Sequence, residues 1–199
     1  MSTFYRRIGK RGLDIFASFL GVICLLPLFL IIAIIIKTTS KGPVFFIQER
    51  VGRDFQPFNM VKFRSMVVND NTKHSLVTSS GDQRVTRIGQ ILRRYKLDEL
   101  PQLLNVLNGT MSLVGPRPEV SRYIKYYKSE YEIILSVKPG ITDNASIEFK
   151  KEEEILAQYD EKERAYIEKI MPQKMKLYND YIKNITLLSD IKLIFKTIF

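Results

Sequence analysis

The stretch with the clearest potential for chemistry runs from Arg93 to Leu100. It places two adjacent carboxylates, Asp98 and Glu99, directly after a cluster of cations. An ionised carboxylate in a cationic site can attack phosphorus, provided that a divalent cation neutralises the phosphates it approaches. The pattern therefore predicts Asp98 as a nucleophile. It also predicts that Glu99, with Asp98, binds a hard metal such as Mg²⁺.

A simpler interpretation is that Asp98 caps a helix. Leucines recur at helical spacing from Leu97 to Leu107, and Asn108-Gly109 is a typical helix end. Pro101 is tolerated only in a first turn, so the helix is expected to begin near Asp98. Asp is among the preferred N-caps, and a helix start with nearby arginines also keeps a carboxylate ionised. The residues alone leave both alternatives open.

Further cations come from two other segments. Residues 44–48 and 58–64 are rich in β-branched and aromatic residues and predict a hairpin, in which strand alternation puts Lys62 and Arg64 on one face. Two solvated surface charges would give the same pattern. In Gly-Pro-Arg-Pro, Pro116 and Pro118 fix the backbone and are expected to hold Arg117 outward as a rigid anion clamp.

The segment from Ile15 to Ile36 contains no charged residue and is long enough to cross a hydrocarbon core of roughly 30 Å. Pro27 is expected to kink or break it into halves of about 18 and 14 Å, neither of which spans alone. Basic residues, which mark the cytoplasmic side, flank both ends. The pattern favours a re-entrant helix with its kink at Pro27 over a kinked span or a signal peptide.

The chain has 199 residues and a formal charge of +10, which favours an anionic partner. Nucleic acid is not favoured, because the basic residues are dispersed and no reader motif is present. The only cysteine is Cys24 and the only histidine is His74, which excludes an internal disulfide and disfavours a zinc site. Residues 69–83 are polar and predict a long loop. The loop either covers a site or is an exposed surface loop without a functional role.

Near the end of the sequence, apolar residues from Leu187 to Ile198 form one helical stripe, with Lys192 and Lys196 elsewhere. Such a helix either lies in a membrane interface or packs on the domain core. The predicted fold is mainly α with a small β-hairpin (α+β). It comprises a re-entrant membrane helix with basic flanks (residues 1–41) and a compact cytoplasmic catalytic domain (residues 42–199) that ends in the amphipathic helix.

Five ordered motifs resemble the bacterial sugar transferase family, the monotopic phosphoglycosyl transferases that begin surface-glycan assembly. They are Lys62-Phe-Arg-Ser-Met66, Leu97-Asp-Glu-Leu-Pro-Gln102, Asn105-Val-Leu-Asn-Gly109, Met111-Ser-Leu-Val-Gly-Pro-Arg-Pro118 and Lys138-Pro-Gly-Ile-Thr142. The resemblance extends from the N-terminal insert to about residue 198. Within the family, the chain resembles the small form.

The resemblance implies that a UDP-sugar gives its phospho-sugar to Asp98 and releases UMP, after which polyprenyl (undecaprenyl) phosphate takes the phospho-sugar. It further implies that Glu99 helps to bind Mg²⁺, that Arg117 and Lys62 contact the nucleotide or its phosphates, and that Arg93 supports the phosphate site. The expected location is the cytoplasmic face of the bacterial inner membrane. The sugar, the lipid length and the oligomeric state are not identified.

Two positions depart from the family pattern. Leu26 precedes Pro27 where members often carry Ser, and Asp143 stands where many have Gly, in a region linked to sugar choice in some members. A function of another class is a membrane-bound basic scaffold or regulator that binds anionic lipid or a partner protein. Such a scaffold predicts salt-screened binding that Asp98→Asn leaves intact.

Overall fold

The computed structural model describes residues 4–67 and 81–198. These residues are mainly helical, with two small two-stranded sheets, which confirms the coarse α+β prediction. The strands are β1 (Phe45–Val51), β2 (Pro57–Phe63), β3 (Ser112–Val114) and β4 (Gly140–Thr142). The α-helices are α1 (Lys10–Thr39), α2 (Arg87–Arg94), α3 (Gln102–Asn108), α4 (Ser121–Ile124), α5 (Lys128–Ile134), α6 (Asn144–Glu148), α7 (Glu152–Ala157), α8 (Lys162–Ala165), α9 (Met171–Lys183) and α10 (Leu187–Ile198). Most of the predicted loop 69–83, including His74, lies outside the described residues.

Helix α1 is the long apolar helix, and a π-helical turn, Tyr5–Gly9, precedes it. By length and composition it could cross a membrane. Pro27 lies inside the helix and the helical backbone continues through it, so the predicted break does not occur. The missing proline N–H removes one intrahelical hydrogen bond without ending the helix. A kink at Pro27 stays a prediction.

Both halves of α1 pack against the rest of the protein. In the first half, Asp14 Oδ1 accepts hydrogen bonds from Ser112 Oγ at 3.0 Å and from the Leu113 N–H at 2.9 Å. In the second half, the Phe29 ring meets the edge of the Phe63 ring, with centroids 5.4 Å apart. The domain that contains β2 and β3 therefore contacts α1 along most of its length.

The hairpin predicted from residues 44–64 is confirmed. β1 and β2 pair antiparallel, and Phe46 lies opposite Lys62 in the register. Since successive side chains of a strand point to opposite faces, Lys62 and its neighbour Phe63 project in opposite directions. Phe63 is buried against α1, which leaves Lys62 to point into the interior on the other side.

A second sheet, the parallel pair β3–β4, was not predicted from the sequence. Its two strands have three residues each, and Ser112 pairs with Gly140 and Val114 with Thr142. Residues 140–142 were interpreted as part of a turn after Pro139, and residues 112–114 were assigned to no element, because neither segment is long enough to display alternation.

Helix α10 packs on the domain through Asp190 and Leu193, both of which are buried. The Asp190 carboxylate accepts hydrogen bonds from the Tyr5 and Tyr181 hydroxyls at 2.7 and 2.8 Å and from Lys10 Nζ at 2.6 Å. A second apolar set on the same helix is exposed: Leu187, Leu188, Ile191 and Phe195. The helix therefore packs on the core and still presents apolar residues outward.

Candidate active site

The turn that carries Asp98 is built from an unusual backbone conformation. Lys96 has φ 57° and ψ 20°, a left-handed conformation that few residues other than glycine adopt. It separates α2 from a single 3₁₀ turn, Leu97–Glu99, and α3 begins only at Gln102. The prediction of one helix beginning near Asp98 is therefore wrong in detail, because a separate turn holds the two carboxylates.

Asp98 does not act as a helix cap. Neither the 3₁₀ turn nor α3 has a side-chain cap hydrogen bond. The Asp98 side chain is buried, with 6% of the residue exposed, and its Oδ1 atom has no hydrogen-bond partner among the described residues. Buried carboxylate oxygens are normally paired, so an unpaired one is characteristic of a functional site.

Glu99, in contrast, is fully engaged. It accepts a hydrogen bond from Lys62 Nζ at 2.9 Å, and Arg117 binds both of its oxygens, with Arg117 Nη1 at 3.0 Å from Oε2. Burial alone would raise the pKa of Glu99, but the charges of Arg117 and Lys62 outweigh it and hold that pKa well below its usual range. Glu99 is therefore ionised and fixed between two cations.

The pKa of Asp98 shifts in the opposite direction. Burial raises it, the Lys62 charge opposes this rise, and the neighbouring Glu99 carboxylate adds to it. The sequence favoured a carboxylate kept ionised by a helix start and nearby arginines. The structure instead gives a desolvated carboxylate whose pKa lies above its ordinary value, because burial exceeds the attraction of the cations.

Arg117 points inward to Glu99 rather than outward as expected. Its Pro-Arg-Pro turn is held by hydrogen bonds from the Gly115 N–H to Thr142 O at 3.0 Å and from the Gly140 N–H to Pro116 O at 2.9 Å. Pro116 and Pro118 are buried. The sheet β3–β4 thus positions the guanidinium that fixes Glu99.

Two other predicted cations lie differently. The structure does not bring Arg64 to this cluster: its guanidinium donates to Ser40 O at 2.9 Å and to Lys41 O at 2.7 Å, just beyond the end of α1. Arg93 forms an ion pair with Glu153 and is close enough to Asp98 to lower its pKa. Lys62, Arg93 and Arg117 therefore surround the carboxylates, whereas Arg64 binds the α1 exit.

Sequence reasoning missed a set of buried supporting residues. Glu119 directly follows the Pro-Arg-Pro turn and accepts hydrogen bonds from Arg50 Nη1 at 3.1 Å and from the Tyr166 hydroxyl. Asp143 caps α6 by accepting from the Ser146 N–H at 2.9 Å, and its charge helps to raise the pKa of Arg117. A carboxylate next to a rigid turn was the available signal for Glu119.

The donor set fits a magnesium ion that depends largely on substrate oxygens. Within residues 4–67 and 81–198, no three His, Cys, Asp or Glu residues converge as a metal site. Mg²⁺ commonly uses only one or two protein carboxylates together with substrate phosphates. The unpaired Asp98 Oδ1 supplies one such oxygen, and Glu99 is adjacent but already bound by two cations.

Comparison with known proteins gives a consistent result. The family model described as "Bacterial sugar transferase" matches residues 5–199. The chain is 37% identical to a UDP-N-acetylgalactosamine-undecaprenyl-phosphate N-acetylgalactosaminephosphotransferase of Aeromonas hydrophila, covering 95% of this chain and 42% of that protein. It is 41% identical to a UDP-glucose:undecaprenyl-phosphate glucose-1-phosphate transferase of Klebsiella pneumoniae, over 96% of this chain and 39% of that protein.

A protein of the same name from Caulobacter vibrioides is 36% identical, over 95% of this chain and 68% of its own length. The chain therefore spans about two-fifths of the first two relatives and two-thirds of the third. The matched region of this chain contains the whole carboxylate and cation cluster, from Lys62 to Arg117. The chain belongs to the bacterial sugar transferase family.

Proposed function

We propose that this chain transfers a phospho-sugar from a UDP-sugar to polyprenyl phosphate and releases UMP, with Asp98 as the nucleophile. The observation that carries the proposal is the buried, unpaired Asp98 Oδ1 beside Lys62 and Arg93. A structural carboxylate at such a site would be hydrogen-bonded. The names of the relatives, which are sugar-phosphate transferases acting on undecaprenyl phosphate, support the same reaction.

The chemistry is a double displacement at one phosphorus. An Asp98 oxygen attacks the phosphorus that bears the sugar, and the bond from that phosphorus to the bridging oxygen breaks, leaving its electron pair on UMP. An oxygen of polyprenyl phosphate then attacks the same phosphorus, the bond to Asp98 breaks, and the carboxylate is restored. Neither displacement requires a net proton transfer. The covalent intermediate divides one transfer between two diphosphates into two simpler steps.

The surrounding residues have separate tasks in this proposal. Lys62 and Arg93 attract the phosphates towards Asp98, and Glu99 holds Lys62 and Arg117 in fixed positions. A bound Mg²⁺, held by Asp98 and Glu99 together with phosphate oxygens, would neutralise phosphate charge that otherwise repels the carboxylate. Buried Asp98 is poorly solvated, which favours its attack on phosphorus once the phosphate charge is offset.

The proposal also places the site at the membrane surface. Leu97 and Leu100, on either side of the carboxylates, pack against the part of α1 that contains Ile32 and Ile36. A re-entrant α1, inserted from the cytoplasmic side, would keep both of its ends with the catalytic domain, as its contacts in both halves require. The lipid phosphate would then reach Asp98 from the interface, and the exposed residues Leu188 and Phe195 of α10 would contact the same interface.

The test is release of UMP in the absence of lipid. Purified protein with Mg²⁺ and either UDP-glucose or UDP-N-acetylgalactosamine, the donors in the relatives' names, should release about one UMP per active site and retain the phospho-sugar on Asp98. Asp98→Asn should release none. If UMP appears only after polyprenyl phosphate is added, the covalent mechanism is wrong. If neither donor is turned over with lipid present, the proposed reaction with these donors is wrong.

A further inference from the structure

Gln102 is a buried polar residue for which the roles assigned so far give no explanation. It is 1% exposed, and its amide nitrogen Nε2 has no hydrogen-bond partner among the described residues. Leaving a buried donor unpaired costs about 1–3 kcal/mol, so folded proteins rarely retain one without a purpose. The amide nitrogen of Gln102 is therefore free to donate to an acceptor that none of the described residues supplies.

The backbone places Gln102 about one turn beyond the proposed nucleophile, Asp98. Gln102 is the first residue of α3 and follows Asp98 by four positions, and Leu100 and Pro101 between them have right-handed helical backbone angles. Four residues make about one turn of such backbone, so the two residues lie on adjacent turns. Side chains on a helix also lean towards its N-terminus, which for Gln102 is the direction of the turn that carries Asp98.

The two unpaired atoms are complementary but do not bind each other. Asp98 Oδ1 is an acceptor and Gln102 Nε2 is a donor, yet neither has a partner in residues 4–67 and 81–198. A phosphoryl group that reacts with Asp98 satisfies both at once, because its phosphorus receives the carboxylate oxygen while one of its non-bridging oxygens accepts from the amide. Lys62 and Arg117 are held by Glu99, whereas the Gln102 amide nitrogen is not engaged by any described residue.

We propose that the Gln102 amide donates a hydrogen bond to a non-bridging oxygen of the phosphoryl group as it is transferred to and from Asp98. The inference rests on the proposed function. Charge is redistributed over these oxygens during the transfer, and a fixed neutral donor stabilises them without adding a charge beside Asp98. Gln102 would be a catalytic residue, not a contact for the sugar or the uridine.

The test uses single-turnover release of UMP by the full chain with Mg²⁺ and UDP-glucose or UDP-N-acetylgalactosamine. Gln102→Met keeps the length of the side chain and removes the donor. Gln102→Glu keeps the shape and one oxygen but replaces the amide. Loss of one such donor typically slows an enzyme by about 10²–10³-fold, so both variants should lower the first-order rate constant by about 100-fold. Gln90→Met, at an exposed glutamine of α2, should match the wild type.

Amplitude and rate separate a catalytic donor from a merely structural residue. If Gln102 only supports the fold, its variants will release less UMP per mole of protein at an unchanged rate constant, and the proposal is overturned. A rate constant within about threefold of the wild type in a folded variant also overturns it. Should Gln102→Met not fold, the isosteric Gln102→Glu gives the same decision. A wild type that releases no UMP contradicts the proposed function instead, before any variant is measured.

Discussion

At the scale of single residues, the two adjacent carboxylates have opposite electrostatic environments. Glu99 is bound by Lys62 and Arg117, and its pKa is low despite its burial. Asp98 is buried, no described residue pairs with its Oδ1, and its pKa is raised. Groups with shifted pKa values in such a cluster are typical of catalytic sites. One carboxylate binds two cations, whereas the other is the one to which we assign the reaction.

The raised pKa of Asp98 predicts a pH dependence. In the proposed reaction Asp98 attacks only when ionised, so the rate of UMP release should fall as the pH drops through a value above the ordinary pKa of about 3.9. The Lys62 charge lowers the pKa of Asp98. Lys62→Met should therefore move the acid limb of the pH–rate profile to higher pH, whatever it does to the maximal rate. Single-turnover release measured between pH 4 and 8, on the order of one point per half unit, locates the limb.

Lys125→Met, at an exposed lysine outside the site, is the matched control and should leave the limb in place. An acid limb that stays unchanged or moves to lower pH in Lys62→Met would contradict the assignment of that limb to Asp98.

At the scale of elements, the short parallel sheet β3–β4 positions Arg117. Its strands approach so closely that a Cβ at Gly140 would lie 2.1 Å from Gly115 N and 2.4 Å from Gly115 O. No real Cβ contact is that short, and a backbone neighbour cannot rotate away as a side chain can. Glycine at 140 is therefore required by space rather than by backbone angles.

Gly140→Ala is expected to separate β3 from β4 and displace Arg117 from Glu99. Overpacking of this kind typically costs about 1–3 kcal/mol, so the melting temperature in detergent should fall by about 5 °C or more and UMP release should slow. Thermal unfolding and single-turnover release measure the two effects. Gly12→Ala is the control, because its added Cβ meets nothing within 4 Å. A Gly140→Ala protein as stable and active as the control would rule out this account of the sheet.

The sequence predicted the elements that are long enough to show a periodic pattern of apolar residues. The hairpin was found because its strands have seven residues each and alternate regularly. β3 and β4 were missed because strands of three residues are too short to show a period. The turn at Asp98 was placed correctly but described as a helix start. Lys96 adopts a left-handed conformation, which its residue type does not predict.

Within the site, residue types alone identified Lys62, Asp98, Glu99 and Arg117 but not their pairing. Both Arg117, thought to point outward, and Arg64, thought to join the site, bind partners that only the tertiary structure brings near. Burial, which raises the pKa of Asp98, depends on residues distant in sequence. The sequence alone could therefore not predict that the pKa of Asp98 is raised.

At the scale of the whole molecule, α1 contacts the domain in both halves and exposes apolar residues elsewhere along its length. Topology can be tested with Ile8→Cys and Lys41→Cys, each with native Cys24 replaced by Ala, and with Lys125→Cys to mark the side of the domain. All three should resist a membrane-impermeant maleimide in intact spheroplasts and react after lysis. Labelling of position 8 and position 41 from opposite sides would exclude the re-entrant arrangement.

The buried Asp190 network has a consequence for how the protein is made. Tyr5 and Asp190 are 185 residues apart in sequence, and Lys10 joins them through the same carboxylate. Synthesis proceeds from the N-terminus at about 5–20 residues per second, so α1 is complete on the order of ten seconds before Asp190 exists. During that interval the Tyr5 hydroxyl and the Lys10 ammonium lack their acceptor. The final packing of α1 is thus a late event, completed only when α10 folds back onto it.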